Sequence, residues 1–189
     1  MARVQLLSIA SLSGLFNLNA VYLTGYAWLF GMSVWVTFFG GIIAYRALPR
    51  HQFGALQHKT FPVYFVLSML LSSGLMAIWT FKHPDILVYL ARPNVADVAQ
   101  FYALATVFSS QALNYFVIGP LTSKTMFQRQ RLEKEEGKVY NDPGVSDEMK
   151  ALNRRFGSLH GISSLANLGA VLALGFHGLW IGNAGVKGY

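Results

Sequence analysis

Four long apolar stretches constrain this chain more than any other feature of its sequence. They run from about Tyr22 to Tyr45, Phe61 to Phe81, Val98 to Gly119 and Leu159 to Ile181, and none contains Lys, Arg, Asp or Glu. A helix needs about 20 apolar residues to cross a hydrocarbon layer of about 30 Å. Four such stretches in 189 residues predict an all-α integral membrane protein. We expect a four-helix bundle that forms a single membrane domain over residues 1–189.

The composition supports lipid as the main partner and argues against nucleic acid. Only 12 % of the residues are charged, about half the share in soluble domains. The net charge is +7, but eight of the 15 basic residues lie between Lys124 and Arg155, interleaved with six of the eight acids. Such mixing is typical of a solvated helix or loop. The chain contains no Cys, which excludes disulfides, thiolate catalysis and Cys-ligated metals.

The distribution of basic residues predicts which side of the membrane each loop faces. Eleven of the 15 Lys and Arg residues lie in segments 46–59 and 124–155, and the other four lie near the opposite ends of the spans. Loops rich in Lys and Arg face the cytosol. We therefore expect loops 46–60 and 120–158 to be cytosolic, with both termini on the opposite side. The segment at about 121–157 is predicted to be a charged, helical excursion between the third and fourth spans.

The first 21 residues fit three descriptions: a signal peptide, an interfacial helix, or part of the first span. The stretch has a single Arg, and Ser and Asn interrupt its apolar middle. A signal peptide has a more basic start and a more uniform apolar region. These features favour an interfacial helix that leads into the first span.

Three local patterns predict helix boundaries. Asp97 and Gln100 have the spacing of a capping box, which would start the third span. The pair Gly119–Pro120 should end or kink that helix, because proline lacks an N–H and crowds the preceding turn. Ser146 is expected to cap a new amphipathic helix that lies on the membrane surface before it enters the fourth span.

Polar residues within the spans predict where the interior of the bundle lies, because polar groups in lipid face other helices. His160, Ser163, Ser164 and Asn167 fall within an arc of about 100° on one helix. Gln100, Gln111 and Asn114 share one face of the third span. We expect hydrogen bonds between helices, with a polar cavity as the alternative. The candidate polar or ligand-binding cluster comprises Arg46, Arg50, His51, Lys59, Gln111, Asn114, His160, Ser163, Ser164 and Asn167.

Enzyme motifs are absent from the sequence. No Gly-rich segment matches a phosphate loop, and neither Ser163 nor Ser164 lies in a nucleophile elbow. His51 and His58 would be about 10 Å apart along a helix, too far to share one ion. We assign no catalytic residue, metal ligand or cofactor. A metal-binding or haem-binding oxidoreductase that uses His51, His58 and His160 stays open as an alternative.

Four runs of sequence resemble the transmembrane protein 205 family, small eukaryotic four-span proteins built on a domain of unknown function. The runs are GMSVWVTFFGG, RALPRHQFGALQHKTFPVYF, LNYFVIGPLTSKTMFQRQRLEKEEGK and FGSLHGISSLANLG. The resemblance extends from about Gly31 to Gly169, except for residues 82–97 and 139–150. It implies a non-enzymatic endomembrane protein, with the endoplasmic reticulum as the expected compartment, and supplies no catalytic residues.

The expected function is that of a multi-pass membrane protein with a polar cluster on its cytosolic side. That cluster would bind an anionic lipid headgroup, a small solute or a partner subunit, which includes a second copy of the chain. The alternatives are the oxidoreductase described above and an oligomeric transporter of small solutes or drugs that uses the polar faces of the third and fourth spans.

Overall fold

The computed structural model describes residues 6–186, which form a bundle of four long helical rods. The helices are α1 (Ile9–Ser13), α2 (Leu18–Val34), α3 (Gly41–Ala47), α4 (Arg50–Lys82), α5 (Ile86–Tyr89), α6 (Ala96–Leu113), α7 (Gly119–Glu136) and α8 (Asp147–Ala184). A π-helical segment, Trp35–Gly40, joins α2 to α3, and a second, Asn114–Ile118, joins α6 to α7. The rods Leu18–Ala47, Arg50–Lys82, Ala96–Glu136 and Asp147–Ala184 are each long and apolar enough to cross a membrane. The predicted all-α, four-span membrane bundle is confirmed.

The rods are longer than a bilayer requires, and the excess lies mainly at one end. Helix α4 has 33 residues and α8 has 38, which correspond to lengths of about 50 and 57 Å. Their first turns project beside α7 at the end that we call the charged end (residues 46–60 and 119–158). The opposite end, where α2 and α6 begin and α4 and α8 finish, we call the terminal end. The segment predicted as a loop between the first two spans is mostly helical, because only Leu48 and Pro49 separate α3 from α4.

The N-terminal helix that precedes the first span is short. Helix α1 has five residues, and Ser8 caps it by accepting a hydrogen bond from the Ser11 N–H. Asn17 then caps α2, so the first rod begins four residues before the predicted boundary at Tyr22. Residues 1–5 of the predicted N-terminal segment lie outside the described residues, and the interfacial location of α1 stays a prediction.

One of the two predicted helix caps is present, and the other is not. Ser146 caps α8 as expected, with its Oγ 3.1 Å from the Met149 N–H. The capping box at Asp97 was wrong: α6 begins at Ala96, and its N-cap, Val95, makes no side-chain bond. Gln100 does not turn back to the helix start but points into the bundle, where it is fully buried.

The helix does not end at Gly119–Pro120. The π-helical segment Asn114–Ile118 precedes Pro120 directly, and such bulges widen the backbone where a regular hydrogen bond is lost. A Cβ at position 119 would lie 2.7 Å from the Asn114 carbonyl oxygen. Glycine therefore lets the chain turn closely past Asn114, and the third rod runs on as α7.

The two largest fully buried side chains, Trp79 and Tyr22, lie near the terminal end. Tyr22, Trp79, Leu104 and Leu174 are fully buried in one cluster. Large apolar side chains also cover the outside of the rods, and Leu172 is 65 % exposed. An apolar exterior around a mixed interior suits a protein whose solvent is lipid.

Candidate functional site

The structure brings two asparagines together in the middle of the bundle. The Asn114 side-chain amide donates to Asn167 Oδ1 at 3.2 Å and to the Ser163 carbonyl oxygen at 3.3 Å. Asn114 is the first residue of the π-helical segment, so the widened backbone places this amide toward α8. The predicted hydrogen bond between the third and fourth rods is therefore present in this position.

A second hydrogen-bonded group lies one turn away and joins three rods. The Gln111 amide lies 3.4 Å from the Tyr64 hydroxyl, and that hydroxyl donates to Ser33 Oγ at 3.3 Å. Two buried acceptors beside these bonds, Gln111 Oε1 and Asn114 Oδ1, have no hydrogen-bond partner among the described residues. These groups retain hydrogen-bonding capacity in the interior of the bundle.

At the charged end, an ion pair connects α4 with α7. Arg50 Nη2 contacts Glu133 Oε2, and the Glu133 side chain is 7 % exposed. The other oxygen, Glu133 Oε1, accepts the Tyr140 backbone N–H at 2.8 Å. The Tyr140 carbonyl oxygen in turn accepts the Asn153 amide at 2.7 Å. Glu133 and Tyr140 thus fix the α7–α8 connection against the start of α4.

Arg129 lies beside that ion pair in an aromatic environment. Its guanidinium carbon is 4.3 Å from the centre of the Tyr140 ring and 4.6 Å from that of Phe156. Arg50 also lies over the Tyr140 ring, at 4.6 Å. Burial, followed by repulsion from Arg50, lowers the pKa of Arg129 below its ordinary value. We call Arg50, Arg129, Glu133, Tyr140 and Phe156 the arginine cage.

The ten predicted cluster residues do not form one site. Gln111, Asn114, Ser163 and Asn167 lie in the middle of the bundle, and Arg50 belongs to the arginine cage. The remaining five are exposed: Arg46, His51, Lys59, His160 and Ser164. Sequence periodicity identified the inward-facing amides, but it could not show that the basic residues lie on the outer surface.

A buried group at the terminal end was missed in the sequence. The Tyr22 hydroxyl is 2.5 Å from His177 Nε2, and His177 Nδ1 is 2.9 Å from Gln100 Oε1. All three residues are fully buried, so three rods meet at this imidazole. The available signal was a polar residue in each of two apolar spans: Gln100 was expected on the inward face of the third span, but His177 was not considered among the polar residues of the fourth.

A second histidine extends this group toward the end of α4. The His83 ring stacks on Trp79 with the ring centres 4.1 Å apart, and Trp79 also contacts His177 edge-on. The Trp79 Nε1–H donates to the Asp97 carbonyl oxygen at 3.0 Å. His83 Nε2 lies 3.8 Å from Asp97 Oδ1. We call Tyr22, Gln100, His177, Trp79 and His83 the terminal cluster.

The histidines of the oxidoreductase hypothesis have separate neighbours. His58 Nδ1 lies 3.0 Å from Ser123 Oγ, the His160 ring stacks on Phe156, and His51 is exposed. Within residues 6–186, no three His, Cys, Asp or Glu side chains are grouped so that they could hold a metal ion.

Four apolar rods around a hydrogen-bonded interior define a multi-pass α-helical membrane protein. Residues 24–131, more than half of the chain, match the family described as Domain of unknown function (DUF4149), and the chain belongs to that family. It is also 27 % identical over 163 residues to Transmembrane protein 205 of Danio rerio, a match that covers 79 % of this chain and 84 % of the relative. No solved structure matches the chain. The resemblance predicted from the four sequence runs is confirmed.

Proposed function

We propose that this chain is a non-enzymatic endomembrane protein that binds anionic lipid through basic side chains at its charged end. In this proposal the charged end faces the cytosol and the termini lie on the opposite side. Cytosolic leaflets carry anionic phospholipids, and each Lys or Arg near their surface contributes about 1 kcal/mol to binding. The endoplasmic reticulum is the compartment that we expect.

The contact between His58 and Ser123 is the observation that carries the proposal. Their side-chain atoms are 3.0 Å apart, so α4 and α7 are at the same height here. Lys59 and Lys124 are the next residues along the two helices, and both are exposed. Because the apolar part of α4 begins at Phe61, this height corresponds to the headgroup layer.

The charge at this height has no acidic partner in the described part of the chain. The ion pairs between Arg or Lys and acidic side chains within residues 6–186 are Arg50–Glu133, Arg131–Glu135 and Lys150–Asp147. Arg46, in the last turn of α3, is also exposed and outside these pairs. Three cations therefore remain available to phosphate oxygens, which favours lipid contact over internal stabilisation.

Lipid binding by matched variants tests the proposal. Lys59→Gln/Lys124→Gln should weaken binding of the purified chain to anionic vesicles by about 2 kcal/mol, or roughly thirty-fold, at low salt. Lys134→Gln/Lys138→Gln removes the same charge farther from the apolar part of the rods, at the end of α7 and just after it, and should have a much smaller effect. Equal losses in the two variants would contradict a headgroup-level site.

The orientation can be tested separately because the chain has no Cys. Single cysteines at Gln57, Lys134 and Asn94 would report on the charged end twice and on the terminal end once. An impermeant maleimide applied from the cytosolic side should label positions 57 and 134 but not 94. Labelling of 57 and 134 from opposite sides would overturn the four-span arrangement.

Solute transport is a second candidate, and the two unpaired acceptors in the middle of the bundle favour it. Gln111 Oε1 and Asn114 Oδ1 could accept hydrogen bonds from a small polar solute. Flux of polar solutes into vesicles containing the protein should then fall in Asn114→Leu but not in Lys134→Gln. Vesicles without any protein-dependent flux would exclude this candidate.

A further inference from the structure

Arg129 is a buried cation without an acidic hydrogen-bonding partner. Only 7 % of the residue is exposed, and its Nε is buried with no hydrogen bond to any described residue. The ion pairs of the described segment do not include it. A charge removed from water in this way is unfavourable unless another group stabilises it.

The aromatic rings provide part of that stabilisation and also orient the guanidinium. Tyr140 and Phe156 lie 4.3 and 4.6 Å from the Arg129 guanidinium carbon, within the range of cation–π attraction. Contacts of this kind hold the planar group without using its hydrogen-bond donors.

Arg50 adds a second guanidinium beside the same ring. It lies 4.6 Å from the centre of Tyr140 and contacts Glu133. Glu133 also accepts the Tyr140 N–H, so both of its oxygens already have donors. Arg50, Arg129 and Glu133 together carry a net charge of +1, because the single Glu133 carboxylate attracts both guanidinium groups and contacts only that of Arg50.

We infer that the arginine cage is a binding site for a phosphate-class anion, with Arg129 as the principal ligand and Arg50 as its neighbour. A planar, fixed guanidinium matches the geometry of phosphate oxygens and binds them with two parallel hydrogen bonds. Arg129 lies ten residues into α7, about 15 Å from Gly119 along the axis. The site is therefore above the headgroup height of Lys59 and Lys124, and it does not depend on the lipid contact proposed there.

Two sources of phosphate fit this position: a soluble phosphate or phosphate ester, and a phosphorylated lipid headgroup that extends from the membrane. Inorganic phosphate is the probe for the first. For the second, the probe is a vesicle of phosphatidylcholine with a minor fraction of phosphatidylinositol bisphosphate. Saturable binding of either probe through Arg129 supports the site and identifies the source.

The test compares the thermal midpoint of the full-length protein in detergent with inorganic phosphate and with chloride at equal ionic strength. A ligand that binds only the folded state raises this midpoint with its concentration. The thermal midpoint of the wild type should rise with phosphate concentration. Arg129→Gln should abolish this rise, and Arg129→Lys, which keeps the charge but loses the planar fork, should weaken phosphate binding about tenfold.

Arg131→Gln is the matched control, because Arg131 lies two residues away on the same helix and is exposed and paired with Glu135. General salt effects of phosphate act on every variant alike, so the control should keep the full rise. If Arg129→Gln fails to fold, the phosphate response of Arg129→Lys, compared with that of the wild type, still tests whether Arg129 binds phosphate. Identical responses in the wild type, Arg129→Lys and Arg131→Gln, or no saturable binding of either probe, would overturn the inference and leave Arg129 a purely structural residue.

Discussion

The terminal end and the charged end place their polar groups among the helices in opposite ways. At the terminal end, the neutral side chains Tyr22, Gln100 and His177 bond to one another and are fully buried. At the charged end, Arg50 and Glu133 form an ion pair on helices that extend beyond the apolar part of the rods. Neutral networks suit the low dielectric of the membrane, whereas charged groups are stable only where water or a close partner can reach them.

The stabilities of the two ends should therefore respond to different variables. Packing and local geometry should control the stability of the terminal end, with little dependence on salt. Coulombic attraction contributes to the stability of the charged end, and this contribution is screened as ionic strength rises. Substitutions at the two ends test that separation.

Replacing Trp79 with alanine should produce the largest loss. Trp79 is fully buried and contacts Tyr22, His83 and His177, so truncation leaves a cavity and removes a hydrogen bond. We expect a loss of about 3 kcal/mol in the free energy of unfolding, independent of salt. Unfolding measured by steric trapping in bicelles, at two salt concentrations, provides the test.

Trp28→Ala is the control for this prediction, since Trp28 is 58 % exposed on the outside of α2. Trp28→Ala should lower the free energy of unfolding much less than Trp79→Ala does. Comparable losses for the two variants would show that the terminal cluster is not a packed core.

Gly178→Ala should destabilise the same end through steric contact. A Cβ at position 178 would lie 2.0 Å from the Tyr26 hydroxyl oxygen, and that hydroxyl donates to the Leu174 carbonyl oxygen at 2.9 Å. Displacing Tyr26 should lower the free energy of unfolding by about 1–2 kcal/mol. Gly175→Ala has open space around the new methyl group and should be neutral or slightly stabilising. A neutral Gly178→Ala would disprove the close contact.

Glu133→Gln tests the charged end. It removes one charge from a pair in which the Arg50 side chain is 30 % exposed, so the loss should be about 1 kcal/mol rather than the larger value of a fully buried pair. The loss should shrink as salt increases, unlike that of Trp79→Ala. Glu135→Gln, in an exposed pair on the same helix, should change stability by less than about 0.5 kcal/mol. A salt-independent loss in Glu133→Gln would contradict a Coulombic contribution to the stability of the charged end.

The smallest effect is expected at Asp147, at the start of α8. A hydrogen bond from Lys150, together with the positive charges of Lys150 and Arg154, holds the pKa of this carboxyl below its ordinary value. The associated stabilisation is present above the unfolded-state pKa and is lost as the pH falls through the folded-state pKa. In Lys150→Gln the pKa of Asp147 should rise, as carboxyl NMR titration would show. The same titration in Lys134→Gln should leave it unchanged, and an unshifted pKa in Lys150→Gln would refute the assignment.

Much of the fold could be predicted from the sequence, because lipid imposes simple requirements on length and polarity. Uninterrupted apolar stretches revealed the four spans, and the helical period placed Gln111, Asn114 and Asn167 on inward faces. The boundaries were less predictable. Helix α4 continues through Pro62 and begins at Arg50, because contacts at the charged end extend the helix beyond its apolar part.

The candidate sites were predicted only in part. Arg50 and Lys59 both belong to a basic segment, yet one pairs with Glu133 and the other stays exposed. Gln100 matched a helix cap by its spacing but bonds to His177 instead. Local patterns cannot distinguish these outcomes, because each depends on a neighbour far away in the sequence.

The class of protein, the number of spans and the inward-facing sides of the helices follow from hydropathy and the 3.6-residue period, which a local stretch of residues already carries. The pairing of polar groups, in contrast, depends on how the helices pack against one another. Tyr22 and His177 are 155 residues apart in the chain, and their contact depends on the relative height and rotation of two helices. Those quantities arise from the packing of all four rods together, which no single segment encodes.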